Sequence, residues 1–122
     1  MLAQAILSQI GKDELIKDVV IDDAAMSESF RNAIGRGAGD KLTYFDLIND
    51  HRESITLDAA DDQVIDLLKY FPELKTAEIK SGDISSLEAA AECPRLETLS
   101  LGYSIFPVEI PEETRFTLDV IE

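Results

Sequence analysis

A periodicity of 22 residues is the feature that most constrains how this chain can fold. The octapeptide PRLETLSL, residues 94–101, has the counterpart PELKTAEI at 72–79 and, after the same interval, DHRESITL at 50–57. A fourth block, PEETRFTL at 111–118, follows 17 residues after the first. Each octapeptide ends in the order apolar, polar, apolar. This order predicts a short strand with one buried face.

The four blocks predict strands over 54–58, 76–80, 98–102 and 115–120. Successive side chains of a strand point to opposite faces, so alternate residues of each block should lie inside. The expected inward residues are Ile55, Leu57, Ala77, Ile79, Leu99, Leu101, Phe116 and Leu118.

Helical spacing of apolar residues fills the segments between the blocks. It predicts helices over 61–71, with Asp61 or Asp62 as N-cap, and over 85–93, with Ser85 or Ser86 as N-cap. Residues 41–50 show a similar pattern. The expected inward residues are Val64, Leu67, Leu68 and Phe71 in the first helix, Ile84, Leu87, Ala90 or Ala91, and Cys93 in the second, and Phe45 and Ile48 in 41–50.

A strand, a turn, a helix and a return within about 22 residues make one coil of a solenoid, in which stacked coils bury each other's apolar edges. The stretch LETLSLGYSIFPVEIP resembles the leucine-rich repeat, and the resemblance covers about residues 50–122. It implies an α/β solenoid with a parallel sheet of about four strands and helices on the outer side. An ordinary α/β core is the alternative.

The sequence departs from the leucine-rich repeat at one position of each coil. The family usually has an asparagine three residues after the last strand leucine, where it bonds the turn backbone. Ala60, Gly82 and Ser104 occupy those positions here. We therefore expect the turns to be closed in another way.

The N-terminal third predicts helices over 2–10 and 13–34, with a possible break near Asp22 and Asp23. Leu15, Val19, Met26, Phe30 and Ile34 follow helical spacing in the longer one. We expect one domain, 1–122, in which residues 1–40 form a helical cap and residues 41–122 form the coils. Docking of residues 1–34 onto another protein is the alternative. The motif GRGAGD, at 35–40, predicts a helix C-cap and hinge, because it lacks the lysine and serine or threonine of a phosphate loop.

The residue types that carry catalysis do not form a recognisable set. His51 is the single histidine and has no evident nucleophile, and Cys93 is expected to be a small buried hydrophobe. The acidic pairs Asp22–Asp23, Asp61–Asp62 and Glu112–Glu113 lack the spacing of a calcium loop. The sequence thus predicts no enzyme, no catalytic residues, no cofactor and no metal site.

The charge points to the class of partner. The chain has 25 acidic and 11 basic residues, a net charge of −14. Such a surface repels nucleic acid and anionic lipid and attracts a basic protein, although solubility alone would also explain it. A single cysteine excludes an internal disulfide, and no apolar run approaches the ~20 residues that span a bilayer. We expect a cytoplasmic protein.

The outward side chains of the predicted strands form the candidate partner-binding face. Ser54, Thr76 and Thr98 are expected to form a row of hydroxyl groups, with Thr56, Glu78 and Ser100 beside it. The residues predicted to contact a partner are Thr56, Asp58, Glu78, Lys80, Ser100, Tyr103, Thr117 and Asp119.

Two functions remain open at this point. Small acidic proteins of this type resemble bacterial immunity proteins that neutralise a basic toxin or enzyme, which implies a non-catalytic protein-binding module. The alternative rests on IKSGDISSLEAAAE, residues 79–92, which resembles the anti-sigma-factor antagonist fold and implies phosphorylation of Ser85 or Ser86. No small-molecule substrate is evident.

Overall fold

A computed structural model of the chain describes residues 12–37 and 40–121, which form a mixed α/β structure. Short helices and strands follow each other along the chain. They are α1 (Lys12–Leu15), α2 (Ala24–Ala33), α3 (Tyr44–Ile48), β1 (Ser54–Leu57), β2 (Ala60–Asp61), α4 (Asp62–Leu67), β3 (Thr76–Ile79), β4 (Gly82–Asp83), α5 (Glu88–Ala91), β5 (Thr98–Gly102) and β6 (Thr117–Ile121), with 3₁₀ turns at Leu68–Tyr70 and Tyr103–Ile105.

The main sheet has four parallel strands in the order β1-β3-β5-β6, as predicted. The 22-residue period appears directly in its register, because Leu57 pairs with Ile79 and Ile79 with Leu101. All three side chains are fully buried. The alternation of the octapeptides therefore places one face of β1, β3 and β5 in the hydrophobic core.

A second ladder closes the turns in the absence of the asparagine. Strands β2 and β4 pair in parallel, with Ala60 opposite Gly82. The backbone N–H of Ala60 donates to the carbonyl of Ser81 at 3.1 Å, and the Ser81 hydroxyl donates to the carbonyl of Asp58 at 2.7 Å. Backbone and hydroxyl groups of these two turns thus satisfy each other without an asparagine.

The register of the last strand differs from the prediction. Block matching aligned Phe116 with Leu99, whereas the structure pairs Leu118 with Leu99 and Val120 with Leu101. A hydrogen bond of 2.7 Å from the Thr117 N–H to the Glu97 carbonyl begins this pairing. Because the shift is two residues, the inward and outward sets of β6 are unchanged. Phe116 remains buried beside the strand.

The helices between the strands agree with the predictions in type but differ in length. Asp61 caps α4, accepting the Val64 N–H at 2.9 Å. Helix α5 is much shorter than the predicted 85–93, because the backbone before it is engaged elsewhere: Leu87 N–H donates to Glu109 O and Glu109 N–H to Ser85 O. The inward residues of this segment are nevertheless buried, namely Ile84, Leu87, Ala90 and Cys93.

The inward residues expected for 41–50 are wrong. Phe45 is 52% exposed and Ile48 only partly buried, while Leu42 and Leu47 lie in the core. The N-terminus of α3 determines which side of the helix faces the core. There the Thr43 side chain accepts the Asp46 N–H, and the Asp46 carboxylate accepts the Thr43 N–H. The Thr43 hydrogen bonds also lower the pKa of the Asp46 carboxyl.

The helix predicted over 13–34 is interrupted. Helix α1 ends at Leu15, Asp18 then forms an antiparallel bridge to Thr43, and α2 begins after its N-cap Asp23. Val19 is buried, but in the bridging segment and not on a helix face. The helix predicted over 2–10 lies outside the described residues.

Helix α2 packs against β1 and β2 at one end of the main sheet. Phe30 is fully buried, with its ring 6.3 Å from that of Phe71. The Ser29 hydroxyl bonds both the carbonyl and the N–H of Ala59, and Arg52 donates to the carbonyl oxygens at the C-terminus of α2. Gly35, with φ +78°, ends the helix as the predicted C-cap motif.

Candidate functional site: the outward face of the sheet

The register assembles most of the predicted contact residues on one face. Thr56, Glu78, Ser100 and Asp119 are consecutive partners across β1, β3, β5 and β6 and form a single row. Parallel pairing places neighbouring side chains of such a row about 5 Å apart. The outward face therefore presents two hydroxyl groups and two carboxylates in a line across all four strands.

A second row contains only hydroxyl groups. It begins with the predicted Ser54, Thr76 and Thr98 and continues to Thr117. The prediction had placed Thr117 beside Ser100. The two-residue shift of β6 moves Thr117 to the hydroxyl row, beside Thr98, and places Asp119 beside Ser100. The candidate face keeps both residues, with their neighbours changed.

Charged side chains that flank the ends of β1 and β3 pair with each other. Lys80 lies 3.7 Å from Asp58, and Lys75 lies 2.9 Å from Glu53, whose hydrogen bond raises the pKa of the lysine. Both pairs join residues 22 positions apart. Among the described residues Glu78 and Asp119 form no ion pair. Within the row, Glu78 on β3 and Asp119 on β6 therefore keep their negative charge available to a partner.

A groove opens at the carboxyl ends of the strands. It encloses about 700 Å³ and is lined by Glu78, Lys80, Gly102, Tyr103, Ser104 and Ile121. The Tyr103 side chain is 71% exposed and provides an aromatic surface at the rim. An aromatic ring next to a carboxylate can hold the head group of an arginine or lysine side chain.

Three lining residues of the groove were not among the predicted contacts, namely Gly102, Ser104 and Ile121. Ile121 pairs with Gly102 and continues the alternation of Thr117 and Asp119. The predicted strand ended at residue 120, one position too early. Extending the period of two by one more residue would have identified Ile121 as outward-facing. Ser104 belongs to a 3₁₀ turn, for which the strand pattern contains no signal.

The residues considered for catalysis lie apart from this face or in ordinary structural contacts. Burial raises the pKa of the Cys93 thiol to about 11, and its Sγ contacts the Leu68 carbonyl at 3.3 Å. The exposed imidazole of His51 lies 2.8 Å from the Glu73 carboxylate. Within 12–37 and 40–121 no group of three histidine, cysteine or acidic side chains has an arrangement that could hold a metal ion.

The serines considered for phosphorylation have structural contacts of their own. The Ser85 N–H donates to the Asp62 carboxylate at 2.9 Å, and the Ser86 hydroxyl accepts the Glu88 N–H at 3.1 Å. Both precede α5, which has one turn and therefore only a small dipole.

Comparison with known proteins gives no relative from which a function could be transferred. No protein-family model, no curated protein and no solved structure matches the chain significantly. None of the helices in the described ranges combines the length and apolar character that crossing a membrane requires.

Proposed function

We propose that the protein is a non-catalytic binding module whose outward sheet face recognises a basic protein. The observation that carries the proposal is the row Thr56, Glu78, Ser100 and Asp119, which ends beside the Tyr103 groove. The row offers hydroxyl and carboxylate acceptors on a rigid sheet. Such acceptors fit the N–H donors of lysine and arginine.

The architecture we propose is a short solenoid of the leucine-rich-repeat type. It is supported by the constant 22-residue shift in both ladders, β1-β3-β5 and β2-β4. In this interpretation α2 caps the first winding, where it contacts β1 and β2. Repeat proteins of this shape bind partners on the exposed face of their sheet, which is the face described above.

Charge extends the proposal to a class of partner. The net charge of −14 would accelerate encounter with a basic protein by electrostatic steering, and the unpaired Glu78 and Asp119 would fix its orientation. An acidic inhibitor or immunity protein that neutralises a basic toxin or enzyme is the specific form we propose. In that role the face covers the basic surface of the target.

The experiment is co-expression with the product of the adjacent gene, followed by measurement of affinity by titration calorimetry. Glu78→Lys and Asp119→Lys should each weaken binding at least about tenfold, equivalent to about 1.4 kcal/mol. Glu88→Lys, on the exposed side of α5, changes the net charge by the same amount and should change affinity less than about threefold at the same ionic strength.

The affinity should also fall as salt is raised from 50 to 500 mM. Equal effects of the three substitutions would show that only total charge matters and would remove the outward face from the proposal. Binding that is insensitive to salt, or no binding to the basic candidate, would remove the proposed class of partner.

A further inference from the structure

The two ends of the main sheet are covered to different extents. At the β1 end, α2 packs on the strand, and the inward side chains Ile55 and Leu57 are buried. At the other end, β6 pairs with β5 on one side only, and the described part of the chain places no strand along its second side. As far as residues 12–37 and 40–121 go, the sheet is thus covered at the β1 end and open at the β6 end.

The exposure of the inward side chains of β6 reflects this difference. Val120 shares a row with Leu101, which is fully buried, yet Val120 is 52% exposed. Leu118 shares a row with the buried Leu99 and is only partly buried. Ile110, in the segment that leads to β6, is also exposed. At this end, Val120 thus faces solvent from a core position of the strand pattern, and Leu118 is only partly covered.

Within the described part of the chain, the backbone of β6 has no hydrogen-bond partner on its outer side. The Thr117 N–H donates to the carbonyl of Glu97, the residue just before β5. Because N–H groups alternate in direction along a parallel strand, those of Asp119 and Ile121 also point toward β5. The N–H groups of Leu118 and Val120 then point away from the sheet, to the open edge, which offers donors and acceptors for one more strand.

We propose that the open edge of β6 binds an extended segment of a partner protein, in which basic and apolar side chains alternate. The segment would add a fifth strand to the sheet. Its apolar side chains would cover Leu118 and Val120, and its basic ones would lie on the outward side, next to Asp119.

Charge decides between such a segment and a second copy of this chain. Residues 105–121 contain the carboxylates Glu109, Glu112, Glu113 and Asp119 and one basic side chain, Arg115. A second copy would bring the same carboxylates and its own net charge of −14 to the edge. Like charges on neighbouring strands destabilise pairing, whereas lysine or arginine opposite Asp119 stabilises it.

The inference goes beyond the proposed function, because it uses the backbone edge of the sheet and shares only Asp119 with the outward face. The two are separable by experiment. Glu78→Lys changes the face at β3, two strands from the open edge, whereas a change of the Val120 backbone affects the edge alone.

The test uses the full chain and three synthetic peptides of about nine residues, a length typical of a strand. One alternates lysine and valine, one alternates glutamate and valine, and one has the lysines and valines in two separate blocks. Amide hydrogen exchange with single-residue resolution is the measurement. We expect the alternating lysine peptide at 1 mM to slow exchange of the Leu118 and Val120 amides at least about tenfold.

Val120→Pro removes an edge donor without removing a β5-β6 hydrogen bond, and Pro is tolerated in such positions of edge strands. It should abolish the peptide-induced protection of Leu118, while Val120→Thr, which keeps the N–H and the strand propensity, should retain it. The protection of Thr117 in both free variants reports whether β6 is still paired.

Several results would overturn the inference. These are protection by the glutamate peptide equal to that by the lysine peptide, protection by the block peptide equal to that by the alternating one, or no protection of Leu118 and Val120 by any peptide. Concentration-dependent dimerisation of the free chain that Val120→Pro abolishes would also overturn it, since the occupant of the edge would then be a second copy.

Discussion

Cys93 shows how one buried side chain loses the chemistry that its type suggests. A thiol reacts as the thiolate, and burial raises the pKa of Cys93 from 9.0 to about 11. At pH 8 the thiolate fraction is therefore about 100-fold lower than for the unshifted group. We expect labelling of the native protein by a disulfide reagent to be slower than for a free thiol by at least that factor, and to accelerate as the pH rises toward 11.

The same chain unfolded in urea is the control, and it should react at the rate of an ordinary cysteine. The raised pKa also means that folding favours the protonated thiol, so this contribution to stability is present below pH 9 and is lost toward pH 11. Rapid labelling of the folded protein at pH 8 would contradict the burial of Cys93 under α4 and α5.

Gly102, at the carboxyl end of β5, shows how closely the backbone approaches that of Lys80, which follows β3. A Cβ atom at this position would lie 1.9 Å from the Lys80 carbonyl oxygen, although the φ of −61° is one that any residue adopts. We expect Gly102→Ala to reduce the free energy of unfolding by at least about 2 kcal/mol, because the clash is with backbone and the two strands must separate. Urea denaturation followed by circular dichroism measures this difference.

Gly37→Ala is the matched control for this substitution. The atoms nearest to its Cβ would be those of the Asp40 carboxylate, at 3.4 Å and beyond, and we expect a change of less than about 0.5 kcal/mol. Similar effects of the two substitutions would mean that the closeness of β3 and β5 at Gly102 is not what requires the glycine.

The whole molecule carries far more negative than positive charge, and like charges destabilise a compact state. Added salt screens this repulsion. We expect 0.5 M NaCl to raise the Tm by about 3–6 °C, corresponding to about 1 kcal/mol for a domain of this size. Differential scanning calorimetry between 20 and 500 mM NaCl measures the shift.

A variant with reduced charge provides the control. Glu88→Lys combined with Glu113→Lys changes the net charge from −14 to −10, because each substitution adds two positive units. The increase in Tm with salt should be smaller in this variant than in the original chain. An equal increase would indicate that salt acts on hydrophobic burial and not on charge repulsion.

Much of the fold could be predicted from the periodic spacing of apolar residues, because this spacing reflects local backbone geometry. The apolar–polar–apolar blocks identified β1, β3 and β5 within a residue, and a constant 22-residue spacing set their register. The N-cap Asp61 could also be predicted, since Val64, whose N–H it accepts, is three residues away. These features depend on neighbours in sequence or on an exact repeat, and both are visible in the chain itself.

Features that depend on residues far apart in the sequence could not be predicted. Matching of blocks displaced β6 by two residues, because its register is determined by the return through 103–116 and not by the octapeptide. Phe45 was assigned to the core because its spacing fits a helix, yet Leu47 occupies that position. The candidate face was identified residue by residue, but its groove required Ile121 and Ser104 to come together at the strand ends.

The sequence by itself determined the strands of the main sheet, the spacing of the first three, and which face of each is apolar, because side-chain alternation and backbone sterics act over a few residues. Only the tertiary structure decided where the helices begin and end and which residues become neighbours: the row from Thr56 to Asp119, the ladder between Ala60 and Gly82, and the exposed edge at Val120. The reason is that pairing between strands and the covering of a sheet end depend on the whole core, which no short segment encodes.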